Sequence, residues 1–253
     1  MHEELIYGWH AVLAVLERSP ERVLQVWLDE KRSGPKPDAV VKAARAGQIR
    51  LQRAGRALLE ELVGAAQHQG VVARCRAATP TQVADLGEFL AGLTQPPFLL
   101  VLDGVQDPHN LGACLRTADA AGVHALILPR DNAVSVTPTV RKVASGAAET
   151  VPVFQVTNLA RTLDQLKADG VWLVGASGDA QDSLYAQDLR GPLALVLGAE
   201  GRGLRRLTQE RCDFLVQIPM AGSVSSLNVS VAAGIFLFEA VRQRRASPPA
   251  GQR

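Results

Sequence analysis

The chain of 253 residues is 47% hydrophobic and carries 27 Lys and Arg against 25 Asp and Glu, a formal net charge of +2 at pH 7. That length and apolar content support one large domain or two smaller ones with an ample core, and the charge is too small to announce a nucleic-acid partner. No apolar run reaches membrane-spanning length, the start Met1-His2-Glu3-Glu4 lacks the features of a signal peptide, and neither the three cysteines nor the five scattered histidines have metal-ligand spacing, so a cytoplasmic protein without a metal or disulfide framework is expected.

In chain order, Val12, Leu13, Val15 and Leu16 recur at helical spacing until Ser19-Pro20 stops the run. Residues 22–29 alternate as a strand does, 39–46 return to helix, and 49–51 form a short strand after Gly47. Residues 57–66 predict a helix and 71–75 a strand. This alternation describes a small α/β domain over residues 1–76, whose 12 Lys and Arg against 9 Asp and Glu hint mildly at an anionic partner. Residues 77–97 hold Thr79-Pro80, a weak helix over 83–90 and Gln95-Pro96-Pro97, and proline at both ends marks a linker.

The second domain, 98–253, opens with a strand at 98–102 and a polar loop, after which Asn110 is expected to N-cap a helix over 111–121. A strand at 125–128 completes a right-handed βαβ unit. Helix 139–148, strand 151–156, helix 159–168 and strand 171–175 follow, then strands at 193–197 and 214–218. A last amphipathic helix runs from 229 to about 244 with Ala232, Ala233, Phe236, Leu237 and Ala240 on its apolar face, and a Ser-Pro-Pro tail beyond it reads as disordered.

Three polar, glycine-containing loops leave the strands at 98–102, 193–197 and 214–218, the place where open α/β sheets bind ligands, so the three loops predict one shared site. The second, Gly198-Ala199-Glu200-Gly201-Arg202-Gly203, has neither the glycine order of a dinucleotide fingerprint nor the Gly-Lys-Ser/Thr of a P-loop. A glycine turn does not need Glu200 at its centre, and glycines let backbone approach a flat ligand closely. In the third, Ser223–Ser230 interleaves Ser and Asn with Val and Leu; Asn228 or Ser226 serves as a helix cap, and the remaining polar groups suit the edge of a purine. In the first, Asp103, Asp107 and His109 are read as turn residues beside Pro108, whereas Arg116 stands in a small apolar helix with no packing purpose.

Taken together, Asn110 with Arg116, Leu197-Gly-Ala-Glu-Gly-Arg-Gly203, and Ile218-Pro-Met through Ser225-Ser-Leu-Asn-Val-Ser230 closely resemble the three motifs of the SpoU family of RNA ribose 2′-O-methyltransferases, within the SPOUT superfamily. Tyr7-Gly-Trp-His-Ala-Val12 with Leu16-Glu17 resembles the opening of the subgroup that methylates a guanosine of 23S rRNA. The resemblance implies a parallel-sheet α/β domain tied in a trefoil knot and a small ribosomal-protein-like (L30e-like) α/β domain that binds RNA. It also implies S-adenosylmethionine as cofactor, a homodimer, and 23S rRNA or the assembling large subunit as partner, with modification in the peptidyl-transferase region. By motif position it assigns catalysis to Asn110, Arg116, Glu200, Ser226 and Asn228, and cofactor binding to Gly198, Gly201, Ile218, Ser226 and Leu227. A guanidinium is effectively always protonated. Arg116 is therefore expected to clamp an RNA phosphate and steady alkoxide charge, with Glu200 and Asn110 fixing its position. The same transfer on tRNA, or an rRNA-binding assembly protein without catalysis, are the alternatives.

Overall fold

The structure is a computed structural model that describes residues 3–64, 68–76 and 83–246. It divides into two compact units, one of Met1–Thr79 with Val136–Thr150, the other of Pro80–Ser135 with Val151–Arg253.

The first unit runs β1 (Glu3–Tyr7), α1 (Trp9–Arg18), β2 (Val23–Asp29), α2 (Pro35–Ala46), β3 (Leu51–Ala54), α3 (Arg56–Val63) and β4 (Val71–Arg76). Its sheet has the order β1-β4-β2-β3, antiparallel except for the β2–β3 pair. Period-2 alternation sends Val26 and Leu28 to the face covered by α1 and α2, and Trp27 to the face where Leu59 of α3 packs. Strand β1 was not predicted: its five residues are too few for a pattern, and antiparallel pairing with β4 holds them extended. The end of the expected helix 57–66 and the segment 77–82 lie outside the described residues, as does the Ser-Pro-Pro tail.

The second unit opens with α4 (Val83–Ala91), β5 (Phe98–Asp103), α5 (Pro108–Ala121) and β6 (Ala125–Pro129). The chain then supplies α6 (Pro138–Ala144) to the first unit, against the expectation that everything after residue 98 forms one domain. The physical reason is a buried charge cluster: Arg141 pairs with Glu149 and with Glu4 of β1 (3.3 Å), while Arg22 reaches Glu4 and Glu149 at 2.7 Å each. The expected helix 139–148 stops at Ala144, because Ser145 and Gly146 take left-handed φ of 54° and 99°. At Gly146 a Cβ would stand 2.9 Å from Ala14 and 3.1 Å from the His10 carbonyl.

Back in the second unit follow β7 (Val153–Val156), α7 (Leu159–Ala168), β8 (Trp172–Ala176), β9 (Asp182–Ser183), β10 (Leu193–Gly198), α8 (Arg206–Arg211), β11 (Phe214–Gln217) and α9 (Val229–Ala246). All seven strands are parallel, in the order β7-β6-β5-β10-β8-β11-β9, which bears out the expected parallel-sheet α/β fold. Every residue of β5 is buried, as a central strand covered on both faces requires. Helix α9 packs on α5 and β10 through Ala233, Phe236, Leu237 and Ala240. Its amphipathicity is weaker than expected, since Val231 and Phe238 are half exposed. Among the described residues no helix is long and apolar enough to cross a membrane.

Candidate active site

Strand order reverses between β5 and β10: from β5 the chain moves to β6 and β7, and β8 resumes on the other side of β10. The crevice outside the carboxyl ends at such a switch point is where open α/β sheets take ligands. In register, Gly198 lies opposite Asp103, so the first two predicted loops leave the sheet side by side.

Helix α5 begins at Pro108, and its cap is Asp107, whose carboxylate accepts from the His109 N–H at 2.9 Å. The expectation that Asn110 caps it is corrected; proline suits the first helical position, where no donor is needed, and Asp107 precedes it. Freed from capping, the buried Asn110 side chain donates from Nδ2 to Glu200 Oε1 at 2.8 Å. Asn228 Nδ2 donates to the same oxygen (2.5 Å) and to Asn110 Oδ1 (3.0 Å), and the Val229 N–H adds a longer bond of 3.4 Å. Asn228 also caps α9, its Oδ1 accepting from Ser230 N (2.9 Å) and Ser230 Oγ (2.6 Å). Asn110 and Asn228 thus meet at the Glu200 carboxylate, so all three stretches contribute to one point.

The glycine loop is built by close approach. A Cβ on Gly198 would fall 1.9 Å from the carbonyl carbon of Gly203, so only glycine fits. Gly203 N–H donates to the Ala199 carbonyl at 2.9 Å, and Gly201 and Gly203 take φ of 74° and 64°. Beside this loop lies a cleft of about 460 Å³. Gly198, Glu200, Gly201, Ile218, Ser226 and Leu227, all predicted, line it. Asn110, Asn228 and Arg116 do not. The buried Phe236 closes it from α9, and Ser177-Gly178-Asp179 from the loop after β8. That fourth loop was missed, although it too is a polar, glycine-containing stretch after an apolar strand.

Two expectations need correction. Arg116 is exposed on α5 and, among the described residues, bonds to neither Glu200 nor Asn110. Six residues from Asn110 place it roughly 120° around the helix, because each residue turns about 100°. Asp103 is no turn residue: it ends β5 buried, with its carboxylate on Arg205. Burial pushes the thiols of Cys75, Cys114 and Cys212 each up to about 12, which disfavours the thiolate.

Comparison with known proteins agrees with this architecture. The SpoU rRNA Methylase family model matches residues 97–238, and a model for RNA 2′-O ribose methyltransferase substrate binding matches residues 5–81. The chain is 58% identical over 243 residues to the 23S rRNA (guanosine-2′-O-)-methyltransferase RlmB of Shewanella oneidensis, covering 96% of this chain and 98% of that protein. It is 54% identical to the protein of the same name from Escherichia coli K12, covering 95% and 99%. Its fold matches the SpoU methyltransferase AviRb from Streptomyces viridochromogenes, in complex with the cofactor AdoMet, at a TM-score of 0.80 and 26% identity over 97% of this chain and 92% of that one. The chain belongs to the SpoU rRNA methylase family.

Proposed function

We propose that this protein transfers the methyl group of S-adenosylmethionine to the ribose 2′-hydroxyl of a guanosine in 23S rRNA, in the peptidyl-transferase region, and works in the cytoplasm as a homodimer. The observation that carries the reading is the meeting of Asn110, Glu200 and Asn228 beside a cleft of small-molecule size.

The cleft suits the cofactor. Its volume lies within the range of about 300–1,000 Å³ of small-molecule sites, and it combines apolar Ile218, Leu227 and Phe236 with the hydroxyl of Ser226 and the exposed backbone of the glycine loop. Gly198, Gly201, Ile218, Ser226 and Leu227 would hold it. When bound, S-adenosylmethionine supplies an electrophilic methyl group on a sulfonium.

The protein's task is alignment and charge control. Glu200 Oε1 is saturated by Asn110, Asn228 and the Val229 N–H, which fixes the carboxylate at the cleft. Its Oε2 accepts from no described residue and is available to orient the ribose hydroxyl. Arg116, with no partner among the described residues, is free to clamp an RNA phosphate through its guanidinium and to steady negative charge on the reacting oxygen. Residues 1–76 bind the RNA in this reading, as an L30e-like domain.

Two further parts of the proposal have their own support. A trefoil knot in the second unit is part of this reading through the family to which the chain belongs. A homodimer is supported by Val231 and Phe238, which fall on one face of α9 and are 50% and 48% exposed.

The test is to incubate the protein with methyl-labelled S-adenosylmethionine and either deproteinised 23S rRNA or bulk tRNA. Label in 23S rRNA and none in tRNA is the expected result. Label confined to tRNA overturns the substrate, and binding of rRNA without label on either deproteinised 23S rRNA or assembling large-subunit particles overturns the chemistry in favour of an assembly role.

A further inference from the structure

The Asp103 carboxylate is fully buried, and a buried charge persists only where it is paired and hydrogen-bonded. Among the described residues, all of its side-chain partners come from one residue 102 positions later. Oδ2 accepts from the Arg205 backbone N–H at 3.0 Å, Oδ1 accepts from Arg205 Nε at 2.6 Å, and Arg205 Nη2 closes a short second contact on Oδ1. The Arg205 side chain is itself 51% exposed. Because the backbone N–H is among the donors, the pair fixes the main chain of Arg205 as well as its guanidinium.

That main chain is the exit of the glycine loop. At the entrance, Gly198 touches Gly203 and Leu204 so closely that no Cβ fits, and it stands in register with Asp103. Between entrance and exit the loop backbone is bridged at Ala199–Gly203 and the Glu200 side chain is held by Asn110 and Asn228, while Glu200 and Gly201 face the cleft. Nothing else described holds the exit from outside the loop with charged partners. From this geometry we infer that Asp103 and Arg205 form a positioning pair: they hold the Gly198–Leu204 backbone where it lines the cofactor cleft and where Glu200 meets Asn110 and Asn228. The inference rests on the proposed methyl transfer, but its primary readout is cofactor binding.

The test uses the full-length protein with S-adenosylmethionine titrated calorimetrically, and single-turnover methylation of 23S rRNA measured in parallel. Arg205→Ala removes an exposed guanidinium, and Asp103→Asn keeps the shape of the buried group while removing its charge. Each is expected to raise the Kd for S-adenosylmethionine roughly 10-fold, the scale of one charge-assisted hydrogen bond, with RNA affinity unchanged. The transfer rate should fall by up to roughly 10²-fold, as for a reacting group displaced by about 1 Å. Arg205→Lys, which keeps the charge but loses the fork, should recover part of the affinity. In the double variant Asp103→Asn with Arg205→Ala the losses should fail to add, since the two residues act as one unit.

Wild-type cofactor affinity in Arg205→Ala overturns the inference, and so do fully additive losses. An Arg205→Ala protein that binds cofactor normally but loses RNA affinity would make Arg205 an RNA contact instead, again against the inference. Should wild type bind the cofactor yet methylate neither rRNA nor tRNA, the proposed function fails while the binding comparison still decides the pair.

Discussion

Asn110 and Arg116 sit on one helix in different surroundings. Asn110 is buried against the Glu200 carboxylate, whereas Arg116 faces solvent without a partner among the described residues. Arg116→Ala should therefore lower kcat by on the order of 10²–10³, the scale for losing one preorganised charge-stabilising donor, and leave the Kd for S-adenosylmethionine unchanged. Single-turnover methylation at the wild-type rate would remove Arg116 from the mechanism. A second residue, His124, carries a pH dependence. Its Nδ1 accepts the Phe98 N–H at 3.1 Å, where β5 begins. Burial, with a smaller contribution from the Arg244 charge, lowers its pKa from the ordinary 6.5. The unfolded chain then binds the proton more readily than the folded one, so this stability is present above the unfolded pKa and lost as pH falls through the lower folded value. Between about pH 7 and pH 5 the Tm of the wild type should drop further than that of His124→Asn, which keeps an acceptor but does not titrate. Parallel Tm curves for the two proteins would contradict this.

At the scale of the element, the glycine loop is the part with least tolerance. Gly198→Ala would drive a Cβ into the Gly203 backbone, which has no flexible end to yield. The variant should keep the far-ultraviolet circular dichroism of the wild type and lose measurable S-adenosylmethionine binding; wild-type affinity would mean the loop does not shape the cleft. Such a loop is legible in sequence, because an apolar strand followed by Gly, Glu and Gly is a local pattern. For the same reason the strands at β5, β6 and β10 and the helices α5, α7 and α9 were legible. The cap of α5 was not, since Asp107 and Asn110 both suit that position, and the choice turns on Pro108 and on a carboxylate 90 residues away. Asp103 hid for a related reason: its partner is 102 residues on, and nothing beside it in sequence distinguishes a buried anchor from a turn residue. The short helix α8 and the two-residue β9 hold too few residues for a periodicity to register.

At the scale of the whole molecule, the first unit is discontinuous. Residues 136–150 bring Arg141 and Glu149, with side chains 6% and 2% exposed, to Glu4 and Arg22 from the start of the chain. Removing one member leaves an uncompensated buried charge, so Glu149→Ala should destabilise this unit by about 3–5 kcal/mol. An unchanged unfolding midpoint would show the cluster to be solvated. Deleting residues 1–76 strips Arg141 and Glu149 of both outer partners, so any loss of RNA affinity in such a fragment would be mixed with a loss of fold. Point variants on the intact chain are the cleaner test of RNA binding.

The central claim, methyl transfer to a guanosine ribose of 23S rRNA, is tested most directly by the chemical identity of the product. Labelled 23S rRNA would be hydrolysed in alkali, which cleaves beside every free 2′-hydroxyl and spares a methylated one. The label should appear in a single alkali-resistant dinucleotide whose 5′ member is 2′-O-methylguanosine. Label released in mononucleotides, as for methylation of a base, would contradict it.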